Sequence, residues 1–263
     1  MDLGIEGKIA LVAASSQGLG RACAEALAAE GARVVVSGRD AEKLERVASE
    51  IRDEVSAEVH PVASDLGSAE GVEQLVAGAV EKWGRVDILV HNSGGPPPGA
   101  FWDLADEDWR RAFELVNLSA IRLVRALAPG MRERGWGRIV GIQSSAVKQP
   151  VPHLDLSNGV RPGVPALFKA LMPELAPDGV TINTVLPGVF RTARIEAALG
   201  ARAERANRTL EAEVGALAAS IPAGRLGRSE ELAALVAFLA SERASYINGA
   251  VYQVDGGSIA GVL

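Results

Sequence analysis

Residues 9–39 read IALVAASSQGLGRACAEALAAEGARVVVSGR, and the order of residue types along them decides the fold. Ile9 to Ala13 form a short apolar run with no polar break, the pattern of a strand buried on both faces. A Ser/Gly turn follows, and RACAEALAAEG then carries a helical spacing that Gly31 stops. Arg33-Val34-Val35-Val36 is a second strand. Strand, turn, helix, strand is a βαβ unit, whose crossover forces the two strands to run parallel.

Working outward, the alternation continues to the end of the chain. Strands are expected near Val59 to Ala63, Val86 to Val90, Arg138 to Ile142, Val180 to Leu186 and Val251 to Val254. Helices are expected over about 68–83, 106–134 and 230–241. Such a succession implies an α/β fold: a Rossmann-like, doubly wound parallel sheet of about seven strands, with helices on both faces and its ligand site at the carboxyl ends of the strands. No linker divides residues 1–263, so a single domain is expected. The Ala-rich stretch 191–221 lacks strand character and reads as a mobile helical flap over that site.

Composition narrows the function. Aromatic residues make up only 4% of the chain, so the core must be aliphatic. A net charge of -6 argues against a surface for nucleic acid or an anionic membrane, both of which need a concentrated basic patch, and no stretch has the length of a membrane span. Neither partner is expected. The single cysteine, Cys23, excludes an internal disulfide and a Cys-cluster metal site, and with no signal-like N-terminus the expected location is cytoplasmic. His60, His91 and His153 have no metal-ligand spacing, so no metal is expected.

The turn after the first strand is Ala14-Ser15-Ser16-Gln17-Gly18-Leu19-Gly20, opening straight into a helix. Unpaired amides and a positive dipole end make such a helix start a seat for a pyrophosphate, although glycines at such turns also serve purely conformational ends. With this turn the chain resembles the short-chain dehydrogenase/reductase family, whose first turn reads TGxxxGxG. Ala13 and Ala14 stand where that pattern begins, so its leading glycine is missing while Gly18 and Gly20 remain. An alanine is tolerable there if φ is negative and strained if φ is positive. Asp65-Leu66, the HNSGG run at 91–95, the stretch Asn183 to Gly188 resembling NxxxPG, and the C-terminal ending of the chain also match in register. The resemblance covers essentially the whole chain. It implies a nicotinamide dinucleotide held by Ala14, Ser16, Gln17, Gly18, Leu19, Gly20, Asp65, Leu66, Asn92, Ser93, Gly94, Pro187, Gly188, Val189 and Thr192. At the end of the second strand stands Arg39, which suits a 2′-phosphate where an acidic residue would select NAD, so NADP(H) is favoured. The plainer reading of Arg39 is an exposed residue at the start of the next helix.

In the family a Tyr exchanges the proton at the substrate oxygen, a Lys four residues on lowers its pKa, a Ser polarises the carbonyl and an Asn holds a water relay. Asn117 and Ser144 fall in register for the last two. Ser157 stands at the tyrosine position and Arg161 at the lysine position. An aliphatic hydroxyl is a weaker acid on a shorter arm, and a guanidinium keeps the charge without joining a proton relay. The two tyrosines, Tyr246 and Tyr252, both lie near the C-terminus. Pro162, Gly163 and Pro165 interrupt the stretch, so residues 157–164 are expected to be irregular, with helix only from about Pro165. Lys148, or a His153–Asp155 pair, is a substitute acid on this reading, although a solvated lysine and an ordinary turn account for the same residues.

The favoured function is therefore an NADP(H)-dependent oxidoreductase on a carbonyl or alcohol, similar to the 3-oxoacyl-[acyl-carrier-protein] reductase branch, with a small molecule or acyl thioester as substrate. A dinucleotide-binding sensor, or an assembly subunit without hydride-transfer activity, is the alternative. The resemblance implies a homo-oligomer, dimer or tetramer.

Overall fold

A computed structural model describes residues 1–261. Its strands are β1 (Ile9–Val12), β2 (Arg33–Gly38), β3 (Val59–Ala63), β4 (Ile88–Asn92), β5 (Gly137–Ile142), β6 (Val180–Pro187) and β7 (Val251–Val254). They form one parallel sheet in the order β3-β2-β1-β4-β5-β6-β7. The order reverses between β1 and β4, which opens a crevice at the carboxyl ends of those two strands.

The helices are α1 (Gly18–Ala29), α2 (Ala41–Val55), α3 (Ala69–Trp83), α4 (Asp106–Phe113), α5 (Ser119–Glu133), α6 (Asp155–Val160), α7 (Gly163–Leu175), α8 (Ala193–Ala206), α9 (Leu210–Ala219) and α10 (Ser229–Leu239). Alternate residues of each strand supply two separate cores. Ala10 and Val12 join Leu27 of α1, Ile51 of α2 and Val236 of α10, while Ile9 and Leu11 join Leu75 of α3, Leu123 of α5 and Phe168 of α7. Both faces are covered, which is why central strands such as β1 read as short unbroken apolar runs. Gly141 in β5 makes room for the Phe168 ring, since a Cβ there would lie 2.7 Å from it. Burying that ring stabilises the fold by about 2–3 kcal/mol.

Local chemistry sets the helix starts. Asp40 accepts from the Lys43 amide to cap α2, and Ser68 accepts from the Gly71 amide to cap α3. The expected strand at Val86 begins two residues later, at Ile88; ahead of it the Asp87 carboxylate accepts from the Ile9 amide. The stretch 157–164 departs further from expectation. Residues 155–160 are helical, Arg161 and Pro162 keep right-handed helical dihedrals, and α7 starts at Gly163. Pro162 removes one amide, but its fixed φ of -59° suits a helix start, and Pro165 lies in the first turn of α7, whose amides have no intrahelical partner in any case. The prolines therefore break the hydrogen-bond ladder without diverting the chain. No described helix is long and apolar enough to cross a membrane.

Candidate active site

The crevice is a cleft of about 680 Å³ at the carboxyl ends of the strands. One wall is the turn before α1. Gly18 has φ +59°, and Gly20 is pressed so closely on the turn that a Cβ there would lie 2.4 Å from Ala14 O. Ala14 itself has φ +48°, the left-handed region that strains an L-residue. Hydrogen bonds hold it there: its amide donates to Ser37 Oγ and its carbonyl accepts from Asn92 Nδ2, each at 3.0 Å. The turn is built as though the missing glycine were present.

At the other end Arg161 reaches into the cleft from the α6–α7 junction and is buried, only 6% exposed. Its Nη1 donates to Gln143 O at 2.9 Å and to Gln143 Oε1 at 3.4 Å, and its Nη2 donates to Gly94 O at 2.5 Å. Burial, with the positive charge of Arg194 nearby, pushes the guanidinium down to about 10, which leaves it charged at neutral pH. Behind it runs a polar chain inside the sheet. Gln143 Nε2 donates to His91 Nδ1 at 3.5 Å, His91 Nε2 donates to Ser119 Oγ at 2.9 Å, and Ser119 Oγ donates to Leu115 O at 2.5 Å. Burial first, then the Arg161 charge, pushes His91 down to about 3, so it is neutral and the direction of donation follows. That chain ends on a π-helical turn, Glu114–Leu118, between α4 and α5. Asn117 lies on this turn, buried, with Oδ1 unpartnered, and its Nδ2 packs so near Gly163 that a Cβ there would lie 2.5 Å away. A widened helical turn of this kind commonly marks a functional position.

The family profile described as Enoyl-(Acyl carrier protein) reductase matches residues 13–258. The chain belongs to the short-chain dehydrogenase/reductase family. It is 35% identical to the uncharacterized oxidoreductase YvaG of Bacillus subtilis, over 100% of both chains. It is 34% identical to the 3-oxoacyl-[acyl-carrier-protein] reductase FabG of Vibrio cholerae, over 97% of this chain and 98% of that one. Among solved structures it is similar to L-sorbose reductase of Gluconobacter frateurii complexed with NADPH and L-sorbose, with 33% identity, a TM-score of 0.97 and full coverage of both chains. An actinorhodin polyketide ketoreductase with NADPH superposes with a TM-score of 0.90 at 34% identity, over 96% of this chain and 97% of that one.

As a short-chain dehydrogenase/reductase the chain presents most of its expected contacts together. Ala14, Ser16, Gln17, Gly18, Leu19, Arg39, Asp65, Leu66, Asn92, Ser93, Gly94, Pro187 and Thr192 all line the cleft. Gly20 and Gly188 do not line it. They are packing positions, and a Cβ at 188 would lie 2.7 Å from Asp255 Cα. Val189 lines a separate pocket of about 210 Å³ beside Arg225 and Glu231. Ser64 and Ser93 line the cleft, but their hydroxyl oxygens are buried beneath its wall without a hydrogen-bond partner. A dinucleotide fits this lining: amides at one wall, an exposed Arg39 at one end and the buried Arg161 at the other.

Of the expected chemical groups, Arg161 alone lines the cleft. Ser157 is buried one helical turn before it, Ser144 caps the turn Ser145–Val147 after β5, and Lys148 is half-buried just beyond. His153 and Asp155 do not form a pair: His153 is exposed at φ +61°, and Asp155 accepts from the Phe101 amide at 2.8 Å. Sequence reasoning missed His91 and Gln143 as supports of Arg161, and missed Arg194. The signal for His91 was its place at the head of HNSGG, and Gln143 directly precedes Ser144.

Proposed function

We propose that the protein is an NADP(H)-dependent oxidoreductase that interconverts a carbonyl and an alcohol, related to the 3-oxoacyl-[acyl-carrier-protein] reductases but using a different proton donor. The observation that carries this reading is the continuous cleft with a cation at each end, Arg39 and Arg161, and an amide-rich turn along its wall. Arg39 is exposed at the end of β2 and meets a 2′-phosphate, whereas an acidic residue there would repel it. The dinucleotide, when bound, supplies or accepts the hydride at carbon.

Ser144 Oγ accepts from the Ala146 amide at 3.1 Å, which leaves its own proton free to be donated to a substrate oxygen brought to the end of β5. Arg161, held by the Gln143–His91 chain, keeps a fixed positive charge at this end of the cleft, where it favours an anionic substrate. Ser157, buried and one turn away, is too weak an acid to replace a phenol. The product proton comes from Lys148, on the turn that Ser144 caps, or from water reaching Ser144. The first α8 turn, with Thr192 and Arg194 in the cleft wall, belongs to the flap that shields this end.

NADPH oxidation measured against ketones, quinones and oxoacyl thioesters, beside NADPH and NADH titrations, tests the reading. Turnover lost in Ser144→Ala supports it, and a parallel loss in Lys148→Ala names the acid. Tight NADPH binding without turnover would replace the oxidoreductase by a dinucleotide sensor, and lack of NADPH binding would refute the coenzyme assignment.

A further inference from the structure

The Arg161 end of the cleft holds two guanidinium groups and, among the described residues, no carboxylate. Arg161 comes from the α6–α7 junction and Arg194 from the first turn of α8. They converge on Gly95: a Cβ there would lie 2.8 Å from Arg194 Nη1 and 3.0 Å from Arg161 Nη2. Those two nitrogens are therefore within about 6 Å of each other, the most that two such contacts to one point allow. Arg194 Nη1 donates to Gly95 O at 3.3 Å and its Nη2 to Pro96 O at 2.9 Å. Each guanidinium carries five N–H groups, so carbonyls leave both with donors to spare. Like charges this near repel, and Arg194 accordingly makes the Arg161 cation harder to hold. Among the described residues that line the cleft the single acid is Asp65, which follows β3. Thr192 stands apart from the pair, packed over Gly18 at 3.6 Å to the position of a Cβ.

A buried cation normally has a counter-charge, and this one is met by a second cation and an opening. We propose that Arg161 and Arg194 form a carboxylate-recognition subsite, so that the substrate is an oxo acid or its hydroxy acid, with the reacting carbon beside Ser144 and the carboxylate across Gly95. Two planar forks flanking a residue without a side chain suit a flat, two-oxygen anion. Arg194 arrives with α8, so the acid also fastens the flap to the Gly95-Pro96 loop. The subsite deepens the oxidoreductase reading and rests on it for the identity of the reacting carbon.

The test is a calorimetric titration of NADP+-saturated protein with acetoacetate and, separately, with methyl acetoacetate, where no turnover is possible. Acetoacetate should bind at least about tenfold more tightly than the ester, with an affinity that falls as KCl is raised. Arg194→Gln, on an exposed helix start where folding is not at stake, should cut the preference for the acid over the ester by about fivefold or more, Arg161 keeping the remainder. Equal binding of acid and ester, no binding of the acid, or an acid preference untouched by Arg194→Gln would each overturn the subsite. Heat from the NADP+ addition itself reports on the coenzyme. If that is missing, the coenzyme reading falls, and the same acid and ester titrations on the free protein still decide the subsite.

Discussion

Replacing Ala14 by glycine should stabilise the protein, although it removes a methyl group from a partly buried residue. Ala14 has φ +48°, and the left-handed conformation costs an L-residue about 1–2 kcal/mol. Glycine removes that cost but gives the unfolded chain more freedom, which takes back about 0.5–1 kcal/mol. The net expectation is a gain of about 0.5–1 kcal/mol. In a chain of 263 residues, with an unfolding entropy of about 2.1 cal/mol/K per residue, this raises Tm by only about 1–2 °C. Urea unfolding is therefore the better assay: at about 3 kcal/mol/M the midpoint should move up by roughly 0.2–0.3 M with unchanged slope. The hydrogen bonds from Ala14 N to Ser37 Oγ and from Asn92 Nδ2 to Ala14 O already fix the turn, so NADPH affinity should stay within about twofold. A lowered midpoint would refute the reasoning, because it would mean that the turn does not hold Ala14 in a strained conformation.

Arg39→Ala should weaken NADPH by about 10- to 100-fold, the loss of one or two charge-assisted hydrogen bonds, while NADH affinity stays within about twofold; equal losses for both coenzymes would place Arg39 elsewhere. His91 has its pKa pushed down to about 3, so the folded state resists a proton that the unfolded chain accepts below about 6.5. Its stabilising contribution is complete above that value and lost as pH falls towards 3, at up to about 1.4 kcal/mol per pH unit. Urea midpoints of the His91→Asn protein should accordingly fall less steeply than wild type between pH 6.5 and 4.5. Glu213, 2% exposed, joins α9 to Arg202 Nε at 2.8 Å and to Arg208 Nη1 at 3.0 Å. Glu213→Gln should speed hydrogen exchange across residues 193–219 by about tenfold or more and leave the β1 and β4 amides unchanged.

The sheet was legible in the sequence because strands covered on both faces carry short, near-continuous apolar runs, a pattern that needs no partner to be read. IALVA and RVVV showed it, and the glycine turn between them located the cleft. The helix over 155–160 was not legible, since a proline shows that a hydrogen bond is lost but not whether the chain changes direction. Tertiary packing decides that: Leu156, Ser157 and Val160 are buried, and Gly163 lets α7 close on Asn117. The sign of φ at Ala14 was likewise settled only by hydrogen bonds from β2 and β4, residues distant in sequence. The sequence has no tyrosine before residue 246, and the resemblance reads Arg161 at the lysine position. That Gln143, His91 and Ser119 brace it, and that Arg194 meets it across Gly95, follows from strands and helices brought together across the sheet. Periodicity records how one element faces the core, whereas a polar chain through four elements has no period to read.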